Sequence, residues 1–324
     1  MKYVIGLELG IRNIVVGVVD KYGKLIRKEM MPSMDHSHSY EDIFREISML
    51  VKQVLADENI DIKSVKSIGV GGPGIPDKNA GTIKRKLASN LINIPVRSEL
   101  QKYFNLPVYV DNDGNCAALA ESITGAAEDI VHSILIRIGN GIGAGIIINN
   151  RIYSGFNFTG AEPGHMCIAL GGEECTCGRN GCWESYASAT ALIKQTRQAA
   201  EKHPESLINT IAGGSLDAIS VFTAFEAAKQ GDATAKEVVD KYLMYLGEGI
   251  TNLVNILMPN AVIIGGELSK LGENLLKQLR EIVTKNVYTQ EAEMPQFKTA
   301  ELGSAGVVIG AAMLGIYKDF SPEV

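Results

Sequence analysis

The sequence lacks what would commit it to a membrane or to a nucleic acid. No apolar run approaches the length of a bilayer span. The opening MKYVIGLEL has one Lys and then alternates like a strand. It has neither the long apolar stretch nor the small-residue cleavage site of a secretory signal. Basic residues are not in excess: 31 Lys and Arg stand against 37 Asp and Glu, a net charge of −6. No basic run offers a face to a phosphate backbone, so no nucleic-acid partner is expected. Low-complexity segments and long linkers are missing as well. Cysteine is scarce and odd in number, five in 324 residues, which argues against a disulfide framework and for a reducing cytoplasm. What remains has ordinary globular composition, 46% hydrophobic and 21% charged, and length enough for two domains.

Pattern organises that length. Residues 3–29 read as strand, turn, strand, turn, strand, with Gly10 and Gly23 at the turns. A helix over 40–57 carries Ile43, Ile47, Leu50, Val51 and Val54 at helical spacing. SIGVGG at 67–72 is a buried strand opening into PGIPD, and Asn90 is read in a further loop before a helix near 96–103. PVYVDND at 107–113 is a strand that runs into a helix. Residues 133–154 then repeat the strand–glycine turn–strand pattern of the start, which suggests two halves built on one supersecondary unit. Beyond residue 187 the chain turns helical, with a long helix over 233–257 stopped by Pro259. AVIIGGELS is a buried strand, a helix near 272–285 follows it, and the small, apolar end from Ala305 reads as a closely packed helix. Strands alternating with helices predict α/β layers.

Four of the five cysteines fall within residues 161–184, AEPGHMCIALGGEECTCGRNGCWE. Cys175, Cys177 and Cys182 form a C-x-C-x4-C knot threaded with Gly178 and Gly181, which lets several side chains face one point. Three thiolates and an imidazole make a closed tetrahedral Zn²⁺ site, with His165 as fourth ligand and Cys167 as the alternative. Buried or disulfide-bonded cysteines are the plainer reading. Such a site does no chemistry; it clamps Glu162, His165 and Glu184, which bracket it.

Three glycine turns follow strands directly: Gly10 after Glu8-Leu9, then Gly139-Asn140-Gly141-Ile142-Gly143, then Gly265-Gly266. Their exposed N–H groups suit phosphate oxygens, although none is a Walker A loop or a dinucleotide fingerprint. Asp113 ends a strand, where a carboxylate faces the ligand crevice of an α/β fold. Its other possible role is to cap a helix beginning near Asn115. Asp111 lies among alternating strand residues and is set aside.

Taken in order, GVGGPGIPD, DNDGNCAALAE, GNGIGAG, GAEPGH, CTCGRNGCWE and VIIGGELS resemble the successive motifs of the ROK family of bacterial sugar kinases and sugar-responsive repressors. The resemblance covers nearly the whole chain, and the joint E-x-G-H and C-x-C-G-x-x-G-C-x-E signature is highly specific. It implies an α/β, two-domain, actin-like and ribonuclease-H-like duplicated fold with a cleft between the domains. We expect a small domain of residues 1–117 plus 305–324 and a large one of 118–304 carrying the zinc loop.

By the same resemblance Asp113 is the base that activates a sugar hydroxyl. Asn112, Glu162, His165 and Glu184 hold hydroxyls, with Gly74 and Asn90 lining the pocket. His165, Cys175, Cys177 and Cys182 are the zinc ligands. ATP with Mg²⁺ is expected at Glu8, Gly10, Arg12, Gly139, Asn140, Gly141, Gly265 and Gly266. The implied activity is ATP-dependent phosphorylation of a hexose, glucose by default, with N-acetylmannosamine, fructose, allose and glucosides open. A homodimer is the implied assembly.

The sequence departs from the family pattern in places. Where active kinases read D-x-G-G-T, this chain has Glu8-Leu9-Gly10-Ile11-Arg12. Asn140 replaces a threonine, and Pro163 an apolar residue. The competing expectation is a sugar-binding regulator without catalysis. Family repressors carry a DNA-binding segment before the first strand and tend to lose the aspartate, so the kinase is the leading expectation here.

Overall fold

The structure is a computed structural model describing residues 2–33, 39–87, 90–289 and 291–317, with backbone alone at 85–87 and 90–92. The expected small-domain segment 305–324, and the final helix read into it, therefore extend past the described residues beyond 317.

The chain opens with the predicted meander. β1 (Tyr3–Leu9), β2 (Asn13–Asp20) and β3 (Leu25–Pro32) pair antiparallel in sequence order. α1 (Tyr40–Asp57) is capped by Ser39, whose hydroxyl accepts the Asp42 N–H. It buries Phe44, Ile47, Val51 and Val54, the stripe that 3.6-residue periodicity selects. β4 (Val65–Gly72) joins β1 in parallel.

Residues 75–94 then differ from expectation. They form a small antiparallel sheet of β5 (Ile75–Asp77), β6 (Thr82–Leu87) and β7 (Asn90–Ile94). Asn90 thus begins a strand, paired with Leu87, and does not lie in a loop. These strands are short, and β6 carries Arg85 between Ile83 and Leu87 where alternation would place an apolar residue, so no period marks them. α2 (Val96–Gln101) leads to β8 (Val108–Asn112), parallel to β4, and α3 (Asp113–Thr124) follows without a linker.

The pattern then repeats as β9 (Ser133–Ile138), β10 (Ile142–Ile148) and β11 (Arg151–Tyr153). After the cysteine knot come α4 (Glu184–Ala187), α5 (Ala189–Lys202), α6 (Leu207–Ile211), α7 (Thr223–Lys229) and α8 (Ala233–Leu257). α8 ends as Met258 turns left-handed at φ 38°, just before Pro259. β12 (Ala261–Gly266), α9 (Glu273–Asn286), β13 (Gln296–Thr299) and α10 (Gly306–Met313) complete the described chain.

Among the described residues the two large sheets have orders β3-β2-β1-β4-β8 and β11-β10-β9-β12-β13. Each is a meander followed by two strands added on the far side of its first, so the duplication is topological. This is the actin-like, ribonuclease-H-like arrangement. Among the described residues no helix is long and apolar enough to cross a membrane.

Contacts group the chain into Met1–Leu135 with Gly145–Ala161 and Glu301–Val324, and Ile136–Ala144 with Glu162–Ala300. The expected division at 117/118 would separate the two halves of α3, whereas the grouping keeps the whole of α3 with the first sheet. α10 explains this, because it packs on α3, β1 and β4 together. The contact is close enough to demand glycine. A Cβ at Gly6 would lie 1.9 Å from the Val308 carbonyl oxygen, one at Gly69 1.7 Å from that of Ala311, and one at Gly310 1.7 Å from that of Cys116.

Candidate functional site

The cysteine knot folds into a tight hairpin. Isolated bridges join Cys167 to Cys182 and Glu174 to Asn180, and the Cys175 N–H donates to the Arg179 carbonyl at 2.8 Å. Gly178 and Gly181 take φ of 90° and 84°. Gly181 also lies so close to the Ala169 carbonyl that a Cβ would meet it at 1.9 Å. His165 arrives on a short 3-10 turn, Pro163–His165.

The ligand atoms of His165, Cys175, Cys177 and Cys182 all lie within 4.8 Å of one another. The Cys175 Sγ is 3.6 Å from His165 Nδ1, and the Cys177 Sγ is 3.6 Å from that of Cys182. A tetrahedral centre with sulfurs about 2.3 Å from the metal separates them by roughly 3.8 Å, so the cluster fits zinc. Cys167 stands apart, its Sγ 3.9 Å from the Asn180 carbonyl. Burial first, then the neighbouring thiols, push the Cys182 thiol up to about 12, while the Arg179 N–H helps hold Cys177 below its ordinary value. The neighbouring thiols thus oppose the ionisation of Cys182, and a divalent cation is the charge that would make the thiolate set favourable.

The residues flanking the knot are anchored. Trp183, wholly buried, donates its Nε1–H to the Tyr245 carbonyl on α8 at 2.9 Å. Gly249 on the same helix makes room for the indole, since a Cβ there would approach it to 2.0 Å. Glu184 starts α4, and its Oε2 accepts the Ile142 N–H at 3.0 Å. Its Oε1 lies 3.4 Å from the Thr176 hydroxyl. The knot is thereby tied to the glycine turn at 139–143. Glu162 directly precedes the 3-10 turn as its N-cap.

In that turn a Cβ at Gly141 would meet Glu184 Oε2 at 2.0 Å, whereas Gly139 and Gly143 face open space. Asn140 is exposed. Gly265 and Gly266 end β12, and Gly266, at φ 89°, approaches the end of β9 so closely that a Cβ would lie 2.0 Å from the Ile138 oxygen. The second and third predicted turns thus sit at the ends of adjacent strands.

The first turn occupies the equivalent place in the first sheet. Gly10 closes on the Asn13 carbonyl, Ser33 donates its hydroxyl to the Gly10 carbonyl at 2.7 Å, and Ile11 and Arg12 are exposed. Register puts Glu8 opposite Gly71 and Gly72 opposite Asn112, so the carboxyl ends of β1, β4 and β8 stand side by side. Asn112, not Asp113, is the cap of α3. Its Oδ1 accepts the Gly114 N–H at 2.7 Å, and its amide donates to the Gly74 carbonyl at 3.1 Å. α3 begins at Asp113 rather than near Asn115, and Asp113 Oδ1 accepts the same N–H at 3.0 Å. Asn90 contributes its backbone to β7, and its side chain is outside the description.

The sequence reading missed three residues here. Asp111, set aside as a strand residue, is wholly buried beneath Asn112. Lys78 and Arg97 reach toward β8 from other elements. Only the bare carboxylate inside a buried strand pattern could have signalled Asp111.

A model of the ROK family matches residues 4–317, and the chain belongs to that family. Within it the chain is similar to a glucokinase of Halalkalibacterium halodurans, 32% identical over 325 residues, or 99% of this chain and 97% of that one. It is equally similar, 32% over 315 residues, to a xylose repressor of Caldicellulosiruptor bescii, covering 97% of this chain and 78% of the repressor. A crystal structure of a ROK family glucokinase from Streptomyces griseus with glucose and AMPPNP superposes with a TM-score of 0.80 at 31% identity, covering 96% of this chain and 98% of that one.

Proposed function

We propose that the protein is an ATP-dependent hexose kinase, with glucose as the default substrate and Asp113 as general base. The observation that supports this most is Asp113 itself. It sits in the first turn of α3, straight after a parallel strand and beside the capping Asn112. The likeness to two glucokinases, one of them crystallised with glucose and an ATP analogue, supports the reaction class.

In this reading Asp113 accepts the proton of the attacking hydroxyl. Asn112, Gly74 and Asn90 orient that part of the sugar. Glu162, His165 and Glu184 take further hydroxyls, so that an epimer leaves a polar group unpaired. Asn112 gives one amide N–H to the Gly74 carbonyl and accepts the Gly114 N–H through its oxygen, and its second N–H and second lone pair are left for the sugar, so it holds the loop and the helix start as well as a hydroxyl. His165 meets Cys175 through Nδ1, leaving Nε2 for a hydroxyl. His165, Cys175, Cys177 and Cys182 would hold zinc, which would supply rigidity and no chemistry.

The turns at Gly10, Gly139–Gly141 and Gly265–Gly266 would receive phosphate oxygens, with Arg12 available to the same oxygens and Glu8 the residue that would hold Mg²⁺. Phosphoryl transfer asks chiefly for position and charge stabilisation, which such turns supply. The homodimer and the lack of a nucleic-acid partner come with the family resemblance and the acidic balance.

The second reading, a sugar-binding regulator without catalysis, is favoured by the altered Glu8-Leu9-Gly10-Ile11-Arg12 turn and by the likeness to the xylose repressor. A coupled assay of ADP release across a hexose panel separates the two. The kinase reading expects one hexose to stand out, and Asp113→Asn to lower kcat by about a thousandfold while hexose affinity stays near wild type. Hexose binding with no ADP release above the Asp113→Asn background would establish the regulator instead.

A further inference from the structure

Beneath the Asn112–Asp113 pair lies a charge pair that none of these roles uses. Asp111 is fully buried on β8. Its Oδ1 accepts the Asn112 backbone N–H at 2.8 Å and the Asn115 amide at 2.9 Å, which holds the start of α3. Its Oδ2 lies 2.7 Å from the Nζ of Lys78, whose side chain is only 14% exposed. Neither atom has a hydrogen-bond partner of good angular geometry, this close approach included. The attraction between two buried opposite charges holds at that distance whatever the angle.

Lys78 comes from the turn between β5 and β6, and Arg97 of α2 fixes that turn independently. Its guanidinium donates to the carbonyls of Lys78 at 2.8 Å and Asn79 at 2.6 Å, and to that of Val108 on β8 at 3.0 Å. The Lys78 ammonium also stands 5.3 Å from the ring centre of Phe158. Phe158 is held left-handed at φ 64°, in the segment that runs toward Glu162. One ammonium thus touches the strand that ends in Asn112, the loop that follows Gly74 and the segment that precedes the E-x-G-H motif.

A buried ion pair is a poor way to gain stability, since desolvation consumes most of the attraction and an apolar pair of equal volume serves as well. What it supplies is a single relative placement of the elements it joins. We propose that Lys78 and Asp111 are positioning residues. Their buried pair fixes the β5–β6 turn against the end of β8, and with it the aim of Asn112 and Asp113 at the hexose. The inference rests on the hexose site proposed above.

The test uses the full chain as Lys78→Met, Asp111→Asn and the Lys78→Met/Asp111→Asn double variant. It reads kcat, hexose Kd and Tm. A single variant strands one buried charge and lowers Tm; the double variant strands none and recovers it. If the pair only supports structure, kcat recovers with Tm. If it positions, the double variant regains Tm within a few degrees but keeps kcat at least tenfold below wild type, as small misplacements of reacting groups do. Where a single variant does not fold, the double variant alone decides. Should the wild type transfer no phosphate, the kinase reading falls and hexose Kd becomes the readout. A tenfold weaker Kd in the folded double variant then supports positioning, and an unchanged Kd overturns it. A wild type that binds no hexose overturns both.

Discussion

The carboxylate of Glu184 faces two ways. One oxygen takes the Ile142 N–H in the glycine turn, and the other lies against Thr176 inside the knot. Gly141 leaves the carboxylate its place, because a Cβ there would meet Glu184 Oε2 at 2.0 Å and push it aside. A disturbance of the knot is therefore felt at the turn. We predict that Cys177→Ser lowers bound zinc, measured by metal analysis, and weakens hexose binding in the same preparation, because His165 and Glu184 lose their brace. Hexose affinity that survives loss of the metal would contradict the bracing role. Spacing made this cluster readable: Cys175 and Cys177 are too close together to be separate core residues, and His165 lies just upstream. The pairing of Lys78 with Asp111 was not readable, because an ion pair closed through tertiary structure leaves no period or spacing in the chain.

Among the elements, α6 and α8 share one anchor. Asp232 caps α8 through the Ala235 N–H at 2.7 Å and also accepts the Leu207 N–H at 2.8 Å and the Ser206 hydroxyl at 3.0 Å. Burial raises its pKa, but these donors outweigh that and hold the carboxyl below its ordinary value of 3.8. A carboxylate whose folded pKa is depressed stabilises above the unfolded value and loses that contribution as pH falls through the folded one. Asp232→Asn leaves one acceptor oxygen where the carboxylate uses two, and should cost about 1 kcal/mol at pH 7, by urea unfolding, with the gap to wild type closing below the ordinary value. A gap that stays constant on acidification would mean that the charge is not what matters. α8 was legible end to end, since its apolar stripe is long and Pro259 stops it. β5, β6, β7 and β13 were not: each is short, and none has the continuous apolar run that marks β9 and β12.

At the scale of the molecule, the repeat of two meanders was visible in the alternation of residues 3–29 and 133–154, and the matching strand orders extend it to five strands each. The continuation was hidden, because β13 is four residues long and the helices between corresponding strands share no pattern. The sequence also hinted at α10 through its small, apolar composition, but not at the backbone-to-backbone contacts that Gly6, Gly69 and Gly310 permit.

Those contacts bear on the order in which the protein is made. The first sheet cannot complete its core until α10 has left the ribosome, whereas every strand of the second sheet is translated before that helix. The unit begun first is therefore finished last, and the nascent chain carries an uncovered β1 and β4 through most of its synthesis, a surface for chaperones to guard. Hydrogen exchange on released chains truncated just before Gly306 should find β9 and β12 protected and β1 and β4 not. Equal protection in both sheets would show that α10 is dispensable to the first.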